Sequence, residues 1–151
     1  MKKTKIILFL TGILLSESGS AQQTKSLEWI GGPTYVLQLG GFKILTDPML
    51  CPKNDTAFII KKHPTTGVIN AYVKRFTEPA MFDTSNIDIL LISHLHADHF
   101  DKEAKNILNK NLTTVAPTTN EETLVKWGFY NTTSLKWNDT ITSRKGFETI
   151  K

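Results

Sequence analysis

The segment of this chain that most restricts its fold is an apolar run that ends in a cluster of histidines and a carboxylate. Residues 87–92 have the sequence IDILLI, which predicts a buried strand. Residues 93–99, SHLHADH, follow directly and carry three of the chain's four histidines. A strand that stops at such a cluster delivers metal-binding side chains to the rim of a sheet.

The spacing within this cluster brings its donor groups together in either of two backbone conformations. In an extended chain, His94 and His96 point to the same side, because side chains alternate along a strand. In a helix, His94 and Asp98 share a face, and so do His96 and His99. We therefore predict a metal site formed by His94, His96, Asp98 and His99. The alternative, polar loop residues at a strand end, would suffice for one histidine but is disfavoured for three.

The donor types in this cluster restrict which metal it would bind. Neutral imidazoles and a carboxylate suit zinc, iron or manganese, and zinc is the expected ion. Cys51 is the only cysteine of the chain and lies outside the cluster, which excludes a thiolate site of the zinc-finger kind. Because a disulfide needs two cysteines, the single cysteine also excludes a disulfide within the chain. We interpret Cys51 as an incidental thiol in a loop, with intermolecular pairing as the alternative.

The first residues have the pattern of an export signal. Three lysines precede the apolar run at residues 6–15, and the small residues 19–21 precede the expected cut. We predict a signal peptide at residues 1–21, a tether at 22–26 and one domain at 27–151, which is long enough for a real core. The protein is then periplasmic or secreted. An uncleaved N-terminal anchor is the alternative, although the run is short for a membrane span.

The charge of the chain argues against nucleic acid as a partner. The formal net charge is +4, but residues 1–21 contain three lysines and one glutamate, so cleavage leaves +2. The remaining lysines are scattered, which indicates a solvated surface and no basic binding face. Contact with a membrane is expected only through the N-terminal signal.

Alternating strand and helix patterns predict α/β layering. Strands are predicted at residues 27–30, 34–39, 42–46, 87–93, 113–116, 131–137 and 140–150, with a hairpin turn at Gly40-Gly41. One helix carries the stripe Phe100, Ala104, Ile107 and Leu108, with Asp98 or Asp101 as its cap. A second starts at a capping box in residues 118–122 and stops at Gly128.

Residues 49–85 give the weakest pattern. Residues 57–60 fit a short strand or a loop anchor, and residues 71–76 fit one or two helical turns. The segment is either a lid beside the site or a packed irregular connection. Its expected apolar contacts are Phe58, Tyr72, Phe76 and Phe82. His63 is predicted to be a surface residue.

The motif His94-x-His96-x-Asp98-His99 resembles the signature of the metallo-β-lactamase fold superfamily of metallohydrolases. Residues 31–34 (GGPT), the Gly40-Gly41 hairpin and residues 46–48 (TDP) are similar to the opening of one branch. That branch includes L-ascorbate-6-phosphate lactonase-like and N-acyl-phosphatidylethanolamine phospholipase D-like proteins. The resemblance covers residues 27–137 and implies an αβ/βα sandwich.

The resemblance assigns a role to each matching residue. It implies that His94 and His96 bind a first metal, that Asp98 and His99 bind a second, and that Asp47 accepts a hydrogen bond from a ligand imidazole. Asp47 as a turn residue before Pro48 is the alternative. The implied reaction is hydrolysis by metal-bound hydroxide. In a single-metal site, Asp98 would be the catalytic residue that orients or deprotonates the water. The substrate would be a small or lipid-derived molecule.

The chain departs from the superfamily pattern in its second half. The family's two-metal site takes further ligands from a second, similar half, whereas no histidine follows His99 here. We therefore expect an N-terminal half of the sandwich, truncated and inactive by itself, with up to two ions in a complete domain. A second chain that completes the domain is one alternative. A non-catalytic, exported metal-binding module is another.

Overall fold

The computed structural model describes residues 25–145 and 148–150, so the predicted signal peptide lies outside the described residues. The strands are β1 (Ser26–Gly31), β2 (Thr34–Leu39), β3 (Phe42–Thr46), β4 (Thr56–Lys62), β5 (Ile69–Lys74), β6 (Ile89–Leu91), β7 (Thr113–Pro117), β8 (Thr132–Leu135), β9 (Ser143–Lys145) and β10 (Glu148–Ile150). The helices are α1 (Lys102–Ile107) and α2 (Glu121–Lys126), with single 3₁₀ turns at Thr84–Asn86 and Thr118–Asn120. β1 starts within the segment assigned to the tether.

The main sheet has six strands in the order β1-β2-β3-β6-β7-β8. β1, β2 and β3 pair antiparallel, whereas β3, β6, β7 and β8 run parallel. Parallel strands point the same way, so these four end at one rim of the sheet, which we call the carboxyl edge. The residues that follow Thr46, Leu91, Pro117 and Leu135 are therefore brought together. Ligands of open α/β sheets bind at such an edge.

Both faces of the main sheet are covered with apolar side chains. The larger cluster includes Leu45, Leu90 and Phe100, together with Ala104 from α1 and Leu124 from α2. A smaller cluster on the other face contains Phe42, Ile44, Ile89 and Val115. Neighbouring residues of β6 thus belong to different clusters, which explains why its sequence is continuously apolar. The predicted mixed α/β architecture is confirmed.

The first hairpin follows its sequence pattern closely. Strands β2 and β3 have the predicted bounds, and Gly40 and Gly41 join them with φ angles of 58° and 71°. Two consecutive positive φ angles define the turn that suits a two-residue hairpin. The strand predicted at 87–93 is shorter and spans Ile89–Leu91. Just before it, the carboxylate of Asp88 accepts the backbone N–H of Lys43 at 2.9 Å.

The prediction of helical turns at residues 71–76 is wrong. This segment forms most of β5, which pairs antiparallel with β4. Residues 57–60, for which a strand and a loop anchor were both considered, belong to β4 and are therefore a strand. Cross-strand pairs of apolar residues, Ile59 with Tyr72 and Phe58 with Val73, stabilise the pairing. Of the expected apolar contacts, Phe82 packs against the larger cluster, whereas the side chains of Tyr72 and Phe76 are exposed.

Asp101 caps α1, which decides between the two predicted caps. One carboxylate oxygen accepts the backbone N–H of Ala104 at 2.8 Å, and the other accepts that of Cys51 at 2.7 Å. Burial raises the pKa of Asp101, while these two hydrogen bonds act in the opposite direction. The Cys51 thiol is buried and its pKa is raised, chiefly by burial, so the side chain is not presented for pairing with another chain.

The capping box predicted before α2 does not form. Thr118 and Thr119 instead belong to a 3₁₀ turn, and Asn120 is the N-cap without a side-chain hydrogen bond. The end of the helix is as predicted: Gly128 adopts φ 91° and donates to the carbonyl of Val125 at 2.9 Å.

We predict that Asp101→Ala destabilises the protein by about 2–4 kcal/mol, because it removes a helix cap and leaves the buried amide of Cys51 unpaired. Urea unfolding followed by circular dichroism measures this loss. Asp83, which caps the exposed 3₁₀ turn at Thr84–Asn86, provides the matched control. Asp83→Ala should cost clearly less. Equal losses for the two variants would contradict the role given to Asp101.

Candidate metal centre

The histidine cluster lies in a tight turn directly after β6. The backbone carbonyl of His96 accepts the N–H groups of both His99 and Phe100 at 2.9 Å. These bonds close a single turn that does not continue into a helix, and residues 93–100 form neither a strand nor a helix, in contrast to both conformations considered from the sequence. Two apolar side chains fix this turn to the larger cluster. Phe100 is a fully buried member of that cluster, and the partly buried Leu95 packs against the cluster. The side chains between these anchors are left at the carboxyl edge.

Three of the predicted ligands converge. The donor atoms of His94, His96 and Asp98 all lie within 4.8 Å of one another. His94 and Asp98 are half-buried and His96 is exposed. The imidazole rings of His94 and His96 meet edge to face, with their centroids 4.8 Å apart.

This donor set fits a divalent cation. Protein ligands bind zinc at about 2.0–2.2 Å, so donors around one ion lie within roughly 4 Å of each other. The observed separations need only a small contraction to reach that value. Two neutral imidazoles and one carboxylate also match the three protein ligands that catalytic zinc sites commonly use, which leave one position open.

The fourth predicted ligand, His99, lies beside this group. Its ring centroid is 4.0 Å from that of His94, and its Nδ1 is 3.1 Å from Oδ2 of Asp47. With Nδ1 facing the carboxylate, Nε2 is the nitrogen left for a metal. Direct binding of a metal by His99 stays a prediction.

Asp47 joins the ends of β3 and β6. Its Oδ1 accepts the backbone N–H of Ser93 at 2.7 Å, and its Oδ2 accepts the Ser93 hydroxyl at 2.8 Å. Its own backbone N–H donates to the carbonyl of Leu91 at 3.0 Å. The same carboxylate faces the His99 imidazole, and its role as the partner of a metal ligand stays a prediction. Asp47 also has a φ angle of 34°, so it is a turn residue as well.

Two positioning residues have no counterpart in the sequence predictions. The Ser93 hydroxyl lies 3.0 Å from Nδ1 of His94 and 3.4 Å from Nδ1 of His99, so it connects both imidazoles to Asp47. The fully buried Thr34 hydroxyl donates to the carbonyl of Asp47 and accepts the N–H of Met49, both at 2.8 Å. Both residues also hydrogen-bond Asp47, which is 46 positions from Ser93 and 13 from Thr34, so no local pattern indicates these roles.

The fourth histidine of the chain is separate from this group. His63 lies in the loop between β4 and β5, where its Nδ1 accepts the backbone N–H groups of Thr65 and Thr66 at 3.3 and 3.1 Å. Its side chain is only partly buried. His63 therefore stabilises the loop between β4 and β5, and its substitution is a control for substitutions of the three histidines in the cluster.

Residues 26–148 match the family model of the beta-lactamase superfamily domain. This chain belongs to the metallo-β-lactamase superfamily. The match covers most of the chain, including every strand of the main sheet. The branch named from the sequence stays a prediction.

Two solved structures resemble this metallo-β-lactamase-fold chain, each at 24% identity. One is a possible metal-dependent hydrolase from Veillonella parvula DSM 2008, with a TM-score of 0.61 over 77% of this chain and 45% of that one. The other is isothiocyanate hydrolase from Delia radicum gut bacteria, with a TM-score of 0.59 over 78% of this chain and 44% of that one. These likenesses show the shared fold.

A curated relative is the UPF0173 protein YddR of Bacillus subtilis (strain 168), which is 34% identical over 85 residues. That alignment covers 55% of this chain and 32% of the relative. The chain thus spans about a third of the curated relative that it matches, and less than half of each solved structure.

We predict that Asp47→Asn weakens divalent-metal binding by about 10–100-fold, because the imidazole next to it loses its carboxylate partner. Asparagine tolerates the left-handed φ of this position, so the turn is preserved. Competition with a chromophoric chelator measures the affinity. Asp139→Asn, at an exposed position outside the group, is the control and should bind as the parent does. Unchanged affinity in Asp47→Asn would argue against its role at the site.

Proposed function

We propose that this chain carries the metal site of a divalent-metal-dependent hydrolase of the metallo-β-lactamase superfamily. The observation that carries the proposal is the convergence of the donor atoms of His94, His96 and Asp98 within 4.8 Å at the carboxyl edge. Membership of the superfamily supports it. So do the descriptions of the two solved structures, both of which name hydrolases.

The residues of the cluster would have different roles at such a site. A bound cation would supply Lewis-acid chemistry, which lowers the pKa of a water and polarises the bond under attack. His94 and His96 would hold the cation through neutral imidazoles, together with one carboxylate oxygen of Asp98. The other carboxylate oxygen of Asp98 would orient the attacking water and accept its proton. Ser93 and Asp47 fix the directions of the His94 and His99 rings through the hydrogen bonds described above.

Zinc is the ion we propose, because imidazole and carboxylate ligands in a three-ligand set suit it best. Manganese and iron are the alternatives that the same donors accept. With His99 added, up to two ions would be held in a complete domain. The sequence supplies no histidine beyond His99, and the similar structures are more than twice as long as their matched parts. We therefore propose that these 151 residues alone bind metal but turn over little substrate.

The substrate class follows from the branch that the sequence resembles. We propose a small or lipid-derived molecule with a bond open to hydrolysis, such as a lactone or a phosphodiester. An isothiocyanate should be tested together with these substrates, because one of the similar structures is an isothiocyanate hydrolase.

We predict that His94→Ala, His96→Ala and Asp98→Ala each weaken zinc binding by more than about 100-fold, because each removes a direct ligand and not a supporting group. Isothermal titration of the metal-free protein measures the affinity, and circular dichroism verifies the fold. His63→Ala is the matched control and should bind zinc as the parent does, since His63 lies in a separate hairpin loop.

Two results would contradict the assignment. One is zinc binding that survives His94→Ala. The other is zinc binding that is lost equally in His63→Ala. Hydrolysis assays on the same proteins separate the hydrolase from the alternative of a metal-binding module. Chelator-sensitive turnover that falls with Asp98→Ala supports catalysis by this chain. Stoichiometric zinc binding without turnover, even when the rest of a homologous domain is supplied, supports the module.

We further propose that the protein is exported. The basic start, the apolar run at residues 6–15 and the small residues at 19–21 support this. Among the residues that the structure describes, none forms a helix with the length and apolar character needed to cross a membrane.

The export proposal predicts a mature protein that begins at Gln22. Expression of the full chain in a Gram-negative host, followed by fractionation and intact-mass measurement, tests it. The mass of the periplasmic protein should correspond to residues 22–151. Replacing Ala21 with a bulky residue should block the cut, because the cleavage site requires small side chains. An intact chain in the cytoplasm would contradict the proposal.

A further inference from the structure

A cavity of about 590 Å³ opens at the carboxyl edge, where β6, β7 and β8 end. Its lining is mainly apolar. Ile92 and Ala116, both buried, form part of it, together with Val115, Leu135 and the large exposed ring of Trp137. A volume of this size is typical of small-molecule sites.

The cavity adjoins the metal centre through Ser93. This residue lines the cavity, and its hydroxyl lies 3.0 Å from Nδ1 of His94. A molecule that contacts Ser93 in the cavity would therefore have one end directed at the residue that hydrogen-bonds His94, and its other end among apolar side chains. The two environments suit a substrate with a polar, reactive end and an apolar body.

The charge of the lining does not select strongly for an ion. Among the residues that the structure describes, Lys136 is the one charged residue that lines the cavity. Its backbone N–H donates to Oδ2 of Asp139 at 2.9 Å, so a carboxylate lies beside the lysine backbone. The polar lining residues Thr118, Thr119 and Asn138 are uncharged. Apolar contact is thus the main attraction that the cavity offers.

We propose that this cavity receives the acyl chain or aromatic ring of the substrate while the bond to be hydrolysed lies at the metal centre. The proposal rests on the hydrolase function proposed above and adds a substrate class to it. Trp137 is a specificity-determining residue in this account, because its ring stands at the cavity with 96% of its surface exposed and is covered when an apolar group enters.

The test uses butyrate, hexanoate and octanoate as probes of the chelator-treated full chain. Each methylene that enters the cavity should tighten binding by about fourfold, which corresponds to about 0.8 kcal/mol per buried methylene. Tryptophan emission should shift to the blue as Trp137 is covered. Trp137→Phe should abolish this shift, whereas Trp29→Phe, on the opposite edge strand β1, should retain it. Affinity that does not depend on chain length would overturn the proposal.

A second pair of variants tests the location without relying on fluorescence. Thr118 lines the cavity and is exposed, so Thr118→Phe should fill the space without disturbing the core. Equilibrium dialysis should show at least a tenfold loss of octanoate affinity. Thr133→Phe, also exposed but outside the lining, should leave it unchanged. Equal losses in both variants, or none in either, would overturn the proposal by placing octanoate on another apolar surface.

The outcome is separable from that of the metal proposal. Octanoate binding is measured without metal, and zinc binding is measured without octanoate. Zinc binding at the cluster without chain-length-dependent octanoate binding would refute the cavity alone. Octanoate binding that obeys both variant pairs, in a protein that binds no zinc, would sustain the cavity as an apolar site and refute the hydrolase to which we assign it.

Discussion

The site depends on one joint, the contact between the carboxylate of Asp47 and residue Ser93. It connects the end of β3 to the end of β6 through two residues that lie 46 positions apart in the sequence. The same carboxylate reaches His99, and the Ser93 hydroxyl reaches His94. Asp47 is itself held by hydrogen bonds to Thr34 and to the carbonyl of Leu91, so the sheet determines where the imidazoles lie. A site held in this way needs little reorganisation when a ligand arrives.

The turn that carries the donor residues has two sets of side chains, one packed in the core and one available to bind a metal. Leu95 and Phe100 anchor it in the larger apolar cluster, and the donor groups of His94, His96 and Asp98 converge outside that cluster. Asp101 adds a second anchor, because its carboxylate caps α1 and holds the amide of Cys51 in the segment that follows β3. The cluster is therefore a rigid platform, and the cavity next to it is lined by the ends of neighbouring parallel strands. Family membership and the position of the cavity together suggest how one edge of the sheet would bind both a cation and an apolar group.

Local patterns predicted the parts of this structure that local forces decide. The strands β2 and β3, the Gly40-Gly41 turn and the stop at Gly128 follow from side-chain periodicity and backbone preference. Of the predicted helical stripe, Phe100, Ala104 and Leu108 are buried in and around α1, whereas Ile107 is exposed. The failures arose where tertiary pairing decided. β5 was mistaken for a helix because its partner β4 is seven residues earlier and weakly patterned. The roles of Ser93 and Thr34 depend on contacts with Asp47, which is distant from both in the sequence, so no local pattern predicts them. The donor set was predictable because its members are contiguous, whereas the turn that gathers them was not.

The central claim is that His94, His96 and Asp98 hold one divalent cation at the carboxyl edge. A crystal of the zinc-loaded protein, measured at wavelengths on either side of the zinc absorption edge, tests it most directly. The account predicts an anomalous difference peak at about 2.0–2.2 Å from donor atoms of all three residues. A strongest peak at His63 or elsewhere on the surface, with none among the three donors, would contradict it.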